Sequence, residues 1–258
     1  MTEWSEFLSA MVLALVRVSG MVAFAPFFSS DALPVRTRAV FTVLVAFLLA
    51  PSVAGLSGAH AVVDVQTILG ELAVGLVYGL SLALLNEILL FAGQVLGLQL
   101  SFSLVNLLDP SSSIQTPLMG ELLQWMGTLV IVAAGLDRIL LASLMRSFHA
   151  VPLGTFVMRA TTPGVLVHTA GGVFLAALEL AAPVLAATVL VDLGVALMGK
   201  LSPQLPVMSL TVPIKTLTGF GLLAATLALW PRFLEARFDG LLDMAQRLVE
   251  PATGLGGR

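Results

Sequence analysis

The chain has 258 residues, of which 58% are hydrophobic and only 10% charged, with a net charge of −3 and no cysteine. So little polar material cannot coat a soluble globule, and a weakly acidic chain without a basic tract excludes the electrostatic footprint of a nucleic-acid binder. Disulfides and thiolate chemistry are excluded too.

The first residues, MTEWSEFLSAMVLALVRVSG, lack the basic start of a cleavable leader and embed Arg17 in an apolar run. They are read as a first membrane helix over about 7–26. In FFSSDALPVRTR, Ser30 or Asp31 is placed to cap and Pro34 to open a second helix over about 36–54, with Pro51 marking its close. The third segment, 65–100, would reach roughly 50 Å as one helix, beyond a hydrocarbon core of about 30 Å. Either it tilts and projects, or it breaks in its glycine-rich part. Gly75 and Gly79 stand four apart, as do Gly93 and Gly97, a spacing that lets another helix backbone come close.

A polar stretch, SFSLVNLLDPSSSIQTP over 101–117, ends helicity. A fourth helix is expected over 118–145, then a break, then a fifth over 165–198 that Pro183 should bend. In SPQLPVMSLTVPIK, 202–215, Pro203, Pro206 and Pro213 should limit helix propagation and fix a reversal into a sixth helix over 205–230. The tail 232–249 reads as an amphipathic helix suited to an interface or a partner, and 251–258 as a flexible end. The expected fold is an all-α integral membrane protein, one membrane-embedded domain over 1–250 with about six long, partly kinked apolar helices. Trp4, Trp125 and Trp230 are candidate markers of interfacial depth. Arg36 and Arg38 favour an inner first loop, while Arg146, Arg159 and Lys200 do not all obey a simple alternating topology.

Arg17, Glu71, Glu87, Glu121, Asp137, Arg138, Glu179, Asp192 and Lys215 lie in or at the ends of apolar segments. Charges facing hydrocarbon are costly, so these must sit at interfaces, pair with other helices or subunits, or face water. A secondary transporter could use such groups at broken helices, but no compact carboxylate or histidine group picks out one site. His60, His149 and His168 show no metal-ligand spacing, no cofactor is implied, and no phosphate loop supplies nucleotide chemistry.

Five stretches together resemble the FliR family of the flagellar export gate and its injectisome counterparts, called SctT. They are RVSGMVAFAPFF (17–28), LPVRTRAV (33–40), LLDPSSSIQTP (107–117), SFHAVPLG (147–154) and LMGKLSPQLPVMSLTVPIKTLTGF (197–220). One departure is GLDRIL, 135–140, where flagellar members often carry a glycine-histidine pair. The resemblance implies a non-enzymatic subunit of a type III export gate in the bacterial inner membrane, within the flagellar or secretion basal body. It implies assembly with FliP-like and FliQ-like subunits, contact with FlhB-like and FlhA-like export components and membrane lipid, and conduction of unfolded export substrates. It also implies that residues around Ser101 to Gln115 protrude into the channel and plug it. Asn106, Asp109, Pro110, Ser111, Ser112 and Ser113 suit a wet lumen or a restricted backbone, and Leu104, Leu107 and Leu108 a seal. Arg17, Gly75, Gly79, Gly93, Gly97, Pro183 and the proline turn would serve subunit packing, with Lys200 and Lys215 marking polar ends or meeting partner carboxylates. The injectisome subunit and the small-solute transporter remain the alternatives.

Overall fold

The computed structural model describes residues 2–25, 34–56, 62–100, 118–156, 162–202, 204 and 207–249. Every regular element among them is helical: α1 (Thr2–Phe24), α2 (Val35–Ala54), α3 (Val65–Gln99), α4 (Leu118–Ala133), α5 (Leu136–Ala150), α6 (Thr162–Leu201), α7 (Val207–Thr226), a 3-10 turn (Leu227–Leu229) and α8 (Trp230–Val249). The chain is therefore an all-α membrane protein, with five helical segments among the described residues long and apolar enough to cross a bilayer.

Two compact units make up the chain: Met1–Leu85 with Gly135–Thr169 and Glu235–Arg258, and Asn86–Ala134 with Ala170–Leu234. In the first, α1 packs against α2. The buried residues of α1, Ala10, Leu13, Ala14, Arg17, Val18 and Met21, recur every three or four positions, which is one helical stripe. In the second, Leu89, Ala92, Leu96, Leu100, Leu123, Ala177, Ala181 and Val184 are buried. Hydroxyls inside these apolar helices are satisfied locally: Thr42, Ser81, Thr128, Thr188 and Thr216 each donate to the carbonyl four residues back.

Several expectations change. The single helix expected over 118–145 is two, because Gly135 adopts φ +73°, a left-handed conformation that an L side chain resists, and the chain restarts as α5. The apolar part, α4, has 16 residues and reaches only about 24 Å, short of a core of about 30 Å. The 35 residues of α3 run without a break. Pro34 is itself the N-cap of α2, with no side-chain cap bond, while Ser30 and Asp31 lie outside the described residues. Pro51 and Pro213 sit inside helices rather than ending them, and α6 continues through Pro183 for 40 residues. The sixth helix ends at Thr226 and passes through the 3-10 turn, so the amphipathic helix begins at Trp230. That tryptophan is buried, unlike the exposed Trp4 and Trp125, so it marks packing rather than an interfacial depth. The apolar side of α8, Leu234, Phe238, Leu241, Leu242, Ala245 and Val249, is covered within the chain, with Arg232, Glu235, Asp239, Asp243 and Arg247 outside.

Asp64 caps α3: its Oδ1 accepts the Thr67 amide at 2.8 Å, and hydrogen bonds from the Thr67 side chain first and its amide second hold the carboxyl below the ordinary aspartate range.

Candidate functional site

Inside the first unit, one ion pair is buried almost completely. Arg17 of α1 donates from Nε to Oε2 of Glu71 on α3 at 2.6 Å, with the two side chains 1% and 0% exposed. Arg17 also donates from Nη1 to the Ser147 carbonyl of α5 at 3.0 Å, and its guanidinium lies 4.3 Å from the centre of the Phe148 ring. The second oxygen of Glu71, Oε1, accepts the Gly154 amide at 2.9 Å. Gly154 has φ +76°, and that left-handed turn is where the amide meets the carboxylate. Charge neutralisation, carbonyl acceptance and a cation–π contact together offset the desolvation of a buried guanidinium. Arg17 Nη2 is buried without a protein partner. The network thus joins α1, α3, α5 and the turn after α5, and it unites the start of RVSG with both ends of SFHAVPLG.

Glycines set how closely α1 and α3 approach. A Cβ on Gly75 would collide with the Arg17 carbonyl, and one on Gly79 would lie 2.8 Å from the Gly20 carbonyl. In the second unit a Cβ on Gly93 would strike the Gly120 backbone and lie 2.5 Å from the Met119 carbonyl, while one on Gly97 would touch the Met119 side chain at an ordinary 3.4 Å. These close approaches are made within this chain.

A second ion pair lies in the second unit. Lys215 Nζ of α7 donates to Asp192 Oδ2 of α6 at 2.8 Å, and Gln99, the last residue of α3, donates to the same oxygen at 3.4 Å. Lys215 is nearly buried, whereas Asp192 is 43% exposed. The carboxylate for Lys215 therefore comes from its own chain, where the sequence left internal pairing, a polar helix end and a partner carboxylate open. Pro183, Pro213 and Lys200 are exposed, Lys200 in the last turn of α6. Leu104, Asn106, Leu107, Leu108, Asp109, Pro110, Ser111, Ser112, Ser113, Pro203 and Pro206, and the tail 251–258, lie outside the described residues.

Sequence reasoning singled out Arg17 without its partner. Glu71 and Asp192 were visible as isolated charges in apolar runs, and opposite signs in neighbouring helices were the available signal. Gln99, Phe148 and the two backbone groups, Ser147 O and Gly154 N, left no such mark. Among the described residues no group of three histidines, aspartates or glutamates could hold a metal ion.

A model of the family described as "Bacterial export proteins, family 1" matches residues 8–241. The chain is 22% identical over 248 residues to the flagellar biosynthetic protein FliR of Escherichia coli (strain K12), covering 96% of this chain and 95% of that protein. It is 26% identical over 254 residues to the protein of the same name from Caulobacter vibrioides, with 94% and 97% covered. For that of Pectobacterium carotovorum the identity is 23% over 245 residues, with 95% and 93% covered.

Proposed function

The chain belongs to the FliR family of bacterial export proteins, and on that premise we propose that it builds the type III export gate as a structural, channel-forming subunit. Family membership makes it a membrane-embedded component of the flagellar export apparatus. The finer reading is that it assembles with FliP-like and FliQ-like subunits in the bacterial inner membrane, meets FlhB-like and FlhA-like components, and conducts unfolded substrates without catalysing a reaction.

The observation that carries this reading is the match along nearly the whole chain to proteins of one name. The surface supports it. Glu87 on α3 and Glu121 on α4 are exposed on apolar helices, flanked by exposed residues such as Leu80, Leu98, Leu122, Trp125 and Leu129. A carboxylate turned toward hydrocarbon costs several kcal/mol, so such faces suit packed subunits or a wet lumen better than lipid. Co-expression with FliP-like and FliQ-like subunits, gentle detergent extraction and intact-complex mass measurement should recover one closed assembly containing this chain. Full activity of the isolated monomer, moving a small solute without those subunits, would refute the proposal.

Within that assembly, residues 104–113 act as the channel plug, a reading supported by the mixture of Leu104, Leu107 and Leu108 with Asn106, Asp109 and Ser111 to Ser113. Deleting them should raise ion leak through the assembled gate. Unchanged leak in correctly assembled complexes would remove the plug.

A further inference from the structure

We propose that the outer face of α2 seats an anionic phospholipid, its headgroup phosphate at Arg36 and one acyl chain along Val40, Val43, Leu44 and Phe47. The inference rests on membrane embedding and on this face of α2 staying open to lipid in the assembled gate.

Two faces divide α2. Thr42, Val45, Ala46, Ala50 and Val53 are buried, whereas Val40, Val43, Leu44 and Phe47 are each more than half exposed. Together with Ala39 the exposed side chains line a shallow, apolar trough. At 3.6 residues per turn, Arg36, Val40, Val43 and Phe47 fall within an arc of about 60°, so the exposed cation stands at the head of the same stripe. From Arg36 to Phe47 is about 16 Å of helix, close to one leaflet of a core of about 30 Å. A lipid phosphate at Arg36 would therefore place its chain end near mid-bilayer beside Phe47.

Charge complementarity selects an anionic headgroup. The first turn of α2 carries no acidic residue and no side-chain cap, so the positive end of the helix adds to Arg36. Arg36 together with Arg38 favours the cytoplasmic leaflet for this end, where anionic lipids lie. The stripe offers a single charge followed only by apolar side chains, which is the chemical outline of a phospholipid.

The test uses the purified full chain in micelles, titrated with phosphatidylglycerol or with phosphatidylcholine of the same acyl chains, and counts bound lipid by native mass spectrometry. Phosphatidylglycerol should be retained several-fold more tightly, because the phosphate of either lipid can accept from Arg36 but the choline ammonium sets a second cation beside the guanidinium, and Arg36→Gln should remove the preference. Val43→Trp, which fills the trough, should lower retention of both lipids. Arg36 is exposed at a helix start, so that variant can be matched to the parent by circular dichroism and is decisive by itself. Equal retention of the two lipids, or a preference that survives Arg36→Gln, would overturn the proposal. So would a photoreactive group at position 43 that captures a subunit helix and no lipid in the native membrane.

Discussion

Replacing Glu71 tests whether the Arg17 network organises the first unit. Both carboxylate oxygens are engaged, Oε2 by Arg17 Nε and Oε1 by the Gly154 amide. Glu71→Gln keeps the shape but offers one oxygen and one NH2, so in either amide orientation a donor faces a donor. The guanidinium is also left buried without a counter-charge. Breaking a buried pair from one side costs about 3–5 kcal/mol, a shift of roughly 10²- to 10⁴-fold in the folding equilibrium. Arg17→Met should cost a similar amount, because it strands the Glu71 carboxylate. The double variant Arg17→Met with Glu71→Leu buries no charge and loses the bonds to Ser147 O and Gly154 N, at about 1–3 kcal/mol each, together with the cation–π contact on Phe148. Its loss should therefore fall short of the sum of the Arg17→Met and Glu71→Leu single losses, the latter stranding the guanidinium as Glu71→Gln does, by about 2 kcal/mol or more. Equilibrium unfolding of the full chain in mixed micelles, followed by helical circular dichroism, measures all four corners of the cycle. Additivity within about 0.5 kcal/mol would show that the two residues do not act as a pair, and the reasoning would fail.

Lys215→Glu sets like charges against each other at Asp192; it should lower the yield of assembled gate while leaving cargo preference unchanged, and adding Asp192→Lys should restore the yield. After allowance for the exposure of Asp192 the pair is worth only about 1 kcal/mol, so a normal yield with altered cargo choice would contradict this account. Gly93→Ala should destabilise the chain by about 1–3 kcal/mol because the Gly120 backbone blocks the new methyl, whereas Gly240→Ala on the open face of α8 should gain about 0.5–1 kcal/mol; thermal unfolding compares the two. The Asp64 cap gives a pH dependence of known sign. Its folded pKa is depressed, so its contribution is complete above the ordinary value of about 3.9 and is lost as pH falls through the lower folded value. The Thr67 amide resonance should report that loss in acid, and Asp64→Ala should abolish the titration.

The apolar runs were legible because length and hydropathy alone dictate spanning helices, which is why the expected positions of α1, α2 and α3 lie close to those observed. The break at Gly135 was not, since Asp137 and Arg138 beside it were read as charges within one apolar helix and hydropathy says nothing about φ. Prolines were over-read at 51 and 213, where a helix tolerates the lost donor. Arg17 and Glu71 each stood out as lone charges, but 54 residues separate them and only the register set by Gly20, Gly75 and Gly79 brings them together. Gly154 contributes through its amide, which side-chain reading does not register. The partner of Lys215 stayed open between this chain and other subunits because its distance from Asp192 depends on how α6 and α7 pack, and the sequence does not state that.

The first unit takes its residues from the beginning, the middle and the end of the chain. A ribosome therefore delivers α1 and α2 long before Phe238 and Ala245 exist to complete that unit, and the nascent protein must hold its early helices in waiting. The second unit, drawn only from residues before 235, has all its parts earlier. Maturation is thus ordered by translation, and a stop codon in α8 beyond Leu234 leaves the oldest part of the protein as the unfinished one.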